Sequence, residues 1–170
     1  MDLDVMIGRL RANAEVLAAL AAGVGERQAR WKPAPDKWSI LEVVSHLADE
    51  EVEDFRTRVD LTLHRPGTPW PPIDPQGWVS ARAYNEGELA RSLDGFLSAR
   101  RDSLAWLDEL ESPDWSRAYD HPKAGRISAG DLLTSWVAHD HIHIRQLNRL
   151  HREYLVAELS EHSPDYAGAW

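Results

Sequence analysis

The residues best suited to chemistry are histidines. His139 and His143 are four apart, so on a helix they differ by about 40° in direction and about 6 Å along the axis. Two imidazoles placed in this way can share one ion. They also continue an apolar stripe of Leu132, Trp136, Leu147 and Leu150, which turns them inward. A buried imidazole needs its polar atoms satisfied, and one ion satisfies both. The competing reading is that both are core histidines hydrogen-bonded to neighbours or to water. His141 points about 200° away from His139 and faces elsewhere. A third ligand is wanted, and His46 sits beside the apolar positions Val43 and Leu47 with Glu50 one turn further on; taken alone, it reads as an ordinary, partly buried histidine. The other histidines (His64, His121, His151 and His162) fall at helix ends or in loops and read as surface residues.

The chain has no cysteine, which excludes thiolate ligands, disulfides and a cysteine nucleophile. Nitrogen and oxygen ligands favour one divalent transition ion: zinc, nickel, iron, cobalt or manganese. Three neutral histidines leave coordination positions open, which is the form of a catalytic rather than a structural site. Glu50 and Asp140 are candidate acceptors for imidazole N–H groups. Glu50 is also a candidate proton acceptor during catalysis. For Asp140 the alternative is a solvated helix residue, and Glu51 and Glu53 read as solvated charge. Arg100 occupies a core position in the stripe Leu89, Leu93, Phe96, Arg100, Leu104, Leu107. It reads either as half of a buried salt bridge with a carboxylate of the second helix or as a clamp for an anionic substrate group.

Four helices must position these groups. The first is predicted from about Leu3 to Ala22, with Gly23 and Gly25 ending it. Ser39 and Glu42 form a capping-box signal for the second, which runs to about His64 and stops at Pro66-Gly67. The third spans roughly Glu86 to Leu110. Ser128 and Asp131 open the fourth, about Ala129 to His151. No strand pattern appears. The long connection at 65–79 carries Trp70 and Trp78, read as anchors or as the rim of a pocket. Its length favours an up-down-down-up bundle over plain alternation. Residues 1–170 thus form one all-α domain: a four-helix bundle over about 3–151, then a short C-terminal tail.

Composition narrows the partners. The 170 residues are 43% hydrophobic, enough for a globular core. Nineteen Lys and Arg against 28 Asp and Glu give a formal net charge of −9, which repels nucleic-acid phosphates. No apolar run approaches the roughly 20 residues that cross a bilayer. The acidic start lacks a signal-peptide n-region, so a cytoplasmic location is expected. Eight tryptophans in a bundle of this size suggest apolar outer surface and a homodimer.

Lys32-Pro33, Asp36-Lys37-Trp38-Ser39-Ile40-Leu41-Glu42 and His46-Leu47-Ala48-Asp49-Glu50 resemble the first half of the DinB/YfiT-like superfamily. His139-Asp140-His141-Ile142-His143 followed by Gln146-Leu147 resembles its second half. The resemblance spans about residues 3–150. It implies an up-down-down-up bundle with His46, His139 and His143 as the three metal ligands. It also implies a metal-dependent enzyme acting on a small-molecule substrate, first of all a thiol S-transferase with a low-molecular-weight thiol as co-substrate. A metal-dependent hydrolase uses the same residues. The non-enzymatic alternative is a bundle that binds a metal or small ligand without turnover.

Overall fold

The computed structural model describes residues 2–159 and 161–170, Leu159 by its backbone alone. Its helices are α1 (Leu3–Ala21), α2 (Glu26–Arg30), α3 (Ile40–Glu50), α4 (Thr57–His64), α5 (Pro75–Ala81), α6 (Leu89–Asp108) and α7 (Ala129–Tyr154). A π-helical turn, Glu51–Arg56, joins α3 to α4 without a break. The bundle therefore has four members: α1, the composite helix 40–64, α6 and α7. No described helix is long and apolar enough to cross a membrane.

Local chemistry sets the helix starts. At α3, the Ser39 hydroxyl accepts the Glu42 N–H (3.1 Å) and the Glu42 carboxylate accepts the Ser39 N–H (2.8 Å). The same reciprocal pair forms between Ser128 and Asp131 at α7. Both capping boxes satisfy N–H groups that the helix itself leaves without partners. Gly23, at φ 73°, turns the chain out of α1, a conformation that suits glycine because it lacks a Cβ.

Two apolar cores stack along the bundle. One joins Ile7 and Leu10 to Phe55, Val59 and Leu63, to Leu104 and Leu107, and to Leu132, Leu133 and Trp136. The other joins Ala14 and Leu17 to Ile40, Val43 and Leu47, to Phe96, and to Leu147 and Leu150. The start of α1 thus meets the end of the composite helix, the end of α6 and the start of α7. Between the two cores, in all four helices, lies a layer of buried polar residues: Asn13, Glu51, Arg100 and Asp140.

The elements differ from expectation at α2, at the π turn and in the places that follow. A short antiparallel hairpin, β1 (Ala118–His121) with β2 (Gly125–Ser128), precedes α7. Its strands are only four residues long, too short for an alternation signal, and Gly125 at φ 76° closes the turn. α6 begins at Leu89 because Tyr84–Glu86 forms a separate 3-10 turn broken at Gly87. The long connection holds α5, whose N-terminus is capped by the Asp74 carboxylate on the Gly77 N–H (2.9 Å). The fourth helix runs past His151 to Tyr154.

Candidate metal centre

His46 comes from α3, and His139 and His143 from adjacent turns of α7. Their Nε2 atoms converge: His46 to His139 is 3.4 Å and His143 to His139 is 3.1 Å. Nitrogens held on one ion at about 2.0–2.1 Å sit about 2.8–3.4 Å apart in octahedral or tetrahedral geometry. Both separations fall in that range, and one ligand atom of each histidine lies within 4.8 Å of the others, so the trio could hold a single ion. The set is also chemically suited. His143 Nδ1–H donates to Gln146 Oε1 (2.8 Å), which leaves the Nε2 lone pair free. Burial, then the neighbouring imidazoles, pushes His46 down to about 3. Burial and then His143 take His139 down to about 3 as well, and burial lowers His143. All three are neutral at pH 7, as ligands must be.

Aromatic rings hold the imidazoles in place. Trp38 lies parallel to His143 (5° between planes, centroids 6.4 Å apart) and 4.8 Å from His46. Phe55 packs 5.0 Å from His139. Trp38 precedes the Ser39 cap, so the same local fold that starts α3 sets this wall.

Glu50 stands on the floor of the same cleft. Its Oε2 lies 3.7 Å from His139 Nε2, and its Oε1 is buried with no hydrogen-bond partner. Burial, with the Asp54 charge second, pushes its carboxyl up to about 7. The cleft measures about 460 Å³, with Trp38 and Gln146 on its walls and Pro75 and Gln76 of α5 at its rim. That size suits a small molecule.

The remaining candidates fall elsewhere. Arg100 is 2% exposed and bonds to Glu51 and Asp140. It forms the buried salt bridge and is not a clamp in the cleft. Asp140 is fully buried and accepts from Arg100 and Asn13; it receives no bond from an imidazole, because its side chain points into the bundle. Glu51, expected in solvent, is 2% exposed. Its place follows from the helix itself: it stands four residues after Leu47 and seven after Val44, both buried, and so shares their face. Trp70 packs on Tyr119 and His121, and Trp78 lies under Arg82, so neither lines the cleft. His151 is half-buried: its Nε2–H donates to Leu20 O (2.6 Å) and its Nδ1 accepts from Gln28 Nε2 (3.0 Å). Sequence reasoning gave no site role to Trp38, Phe55 or Gln146, although Trp38 and Gln146 stand in the DinB/YfiT-like motifs. Of these, Gln146 had a usable signal, three residues beyond His143 on one helical face.

Residues 9–147 match the family described as the DinB superfamily. The chain belongs to the DinB superfamily. A relative from Bacillus licheniformis, whose name proposes a metal-dependent hydrolase, is 29% identical over 160 residues, covering 89% of this chain and 86% of its own. YfiT of Bacillus subtilis (strain 168), named in the same terms, is 26% identical over 117 residues, covering 68% of this DinB-superfamily chain and 65% of its own. The solved structure of YfiT is described as "a probable metal-dependent hydrolase with an unusual four-helix bundle topology". It matches at a TM-score of 0.79 and 23% identity, over 88% of this chain and 86% of that one. At that identity the likeness speaks to the fold: a four-helix bundle.

Proposed function

We propose that this chain is a metal-dependent hydrolase of a small ester or amide. One observation carries the reading. The Glu50 carboxylate stands 3.7 Å from one of three converged imidazoles, inside an open cleft. The names of the two Bacillus relatives support it. A divalent ion held by His46, His139 and His143 would supply Lewis acidity, polarising the scissile carbonyl and acidifying a water.

The chain's own residues do the rest. The Glu50 carboxylate accepts the proton of the attacking water, holds it while the carbonyl carbon–oxygen bond forms, and returns it to the leaving oxygen or nitrogen as that atom's bond to the carbonyl carbon breaks. A cation beside Glu50 favours its ionised form, so the acceptor is ready at neutral pH. Gln146 fixes the His143 ring, and Trp38 and Phe55 shield the imidazole faces from water.

The test is a panel of esters and amides with chelator-stripped protein reloaded with zinc, nickel, cobalt, iron or manganese. We expect metal-dependent cleavage, with Glu50→Gln losing about 10²–10⁴ in rate while retaining the ion. His139→Ala should lose both. Small thiols offered with electrophiles run alongside. Turnover there alone would favour thiol transfer at the same imidazoles, and ligand retention without turnover would favour a binding protein.

A further inference from the structure

Arg100 uses all five of its N–H groups inside the protein. Nε and Nη2 donate to Glu51 Oε1 (2.7 Å) and Oε2 (2.8 Å). Nη1 and Nη2 donate to Asp140 Oδ2 (2.9 Å) and Oδ1 (2.8 Å), and Nη1 also donates to Leu10 O (2.9 Å). The carboxylates have further donors: Trp136 Nε1 reaches Glu51 Oε2 (2.9 Å) and Asn13 Nδ2 reaches Asp140 Oδ2 (3.2 Å). One guanidinium on α6 therefore ties α1, the composite helix and α7 together. The rings of Phe96 and Trp136 lie 5.1 and 5.9 Å from it.

The identity of the tethered residues gives this network a role beyond packing. Glu51 directly follows Glu50, and Asp140 directly follows His139. The two bidentate pairs fix the backbone one residue away from each of the groups that meet at 3.7 Å across the cleft. The Glu51 partner Trp136 stacks on Phe55 (centroids 5.8 Å, 8° between planes), and Phe55 packs against the His139 ring. Stability alone does not call for such an arrangement, because apolar residues of similar volume often replace a buried ion network without loss. Bidentate geometry on both sides, by contrast, sets a distance.

We propose that Arg100 is a positioning residue: it fixes the separation of Glu50 from His139 and so the shape of the metal centre, without touching ion or substrate. The proposal rests on the three-histidine reading above. The test compares the wild type with Arg100→Lys and with Arg100→Met/Glu51→Gln/Asp140→Asn. The triple variant removes every charge of the network while keeping its volume. Circular dichroism follows the fold; cobalt(II) affinity and the cobalt d–d absorption bands follow the site.

We expect the triple variant to keep its helix content, bind cobalt ten- to a hundredfold more weakly and show shifted bands. Arg100→Lys keeps the charge but not the double fork, so its bands should shift too. It carries the same readout if the triple variant fails to fold. Cobalt affinity within twofold and unchanged bands in the folded variants would overturn the proposal and leave the metal reading intact. A wild type that takes up no cobalt would overturn both.

Discussion

Removing the metal should expose a pH dependence of stability that the site residues set. The three histidines pull in one direction, His143 through burial like the others. His46 and His139 fall from 6.5 to about 3 on folding, so between those values the unfolded chain binds more protons. Stability from them is complete above about 6.5 and is lost as pH falls. Glu50 pulls the other way. It rises from 4.5 to about 7, so the folded chain binds the extra proton in that window and gains stability as pH falls through it. Each proton bound by only one of the two states is worth about 1.4 kcal/mol per pH unit. His46 and His139 together therefore lose about 4 kcal/mol between pH 7 and 5. Glu50 returns about 2, leaving a net loss of about 2 kcal/mol from these three groups. Glu50→Gln removes the return, so the variant should lose about 4 kcal/mol over the same interval. Titrating groups away from Glu50 contribute equally to both proteins and cancel in the comparison; Asp54, which interacts with Glu50, is a neighbour that does not. The assay is urea unfolding of chelator-treated protein at pH 7, 6 and 5, followed by tryptophan fluorescence. Parallel curves for the wild type and Glu50→Gln would refute the reasoning.

Elemental analysis of protein purified without chelator or a metal-affinity tag should find about one divalent ion per chain. His143→Ala should lose it, whereas His141→Ala should keep it because that side chain is exposed on the outer face of α7. Ser39→Ala should cost about 2 kcal/mol in urea unfolding. It removes an N-cap worth about 1 kcal/mol and the partly buried hydrogen bond to Asn85 Oδ1 (2.6 Å), worth about as much again. Light scattering at micromolar concentration should give the mass of a homodimer, with a clean monomer counting against that expectation.

Where one helix carries the whole signal, the site is legible in the sequence. His139 and His143 share a face by arithmetic, and the Ser39–Glu42 and Ser128–Asp131 boxes mark helix starts by reciprocal bonding between near neighbours. His46 needs more, because its meeting with α7 is a tertiary fact that spacing only suggests. The misreadings trace to residue type and to distance along the chain. Glu51 reads as solvated because it is charged, although the helical wheel places it on the buried face of Ile40, Val44 and Leu47. Asp140 reads as a partner for an imidazole because of its place beside His139. Its actual partner, Arg100, is 40 residues away in sequence. The hairpin at 118–128 escapes because two four-residue strands give periodicity too little length to show.

The π turn also bears on how this fold can change. It is one extra residue accommodated within a continuous helix. Upstream, His46 and Glu50 face the cleft; downstream, Phe55, Val59 and Leu63 face the apolar core. The wide turn absorbs the extra residue, so Phe55, eight residues after Leu47, faces inward as a residue seven after it would on an ordinary α-helix. Deleting one residue from 51–56 would restore an ordinary α turn and leave the two halves in phase. Inserting a second residue there would instead rotate one half against the other by about 100° unless the turn widened again. The segment can therefore lose a residue far more readily than it can gain one.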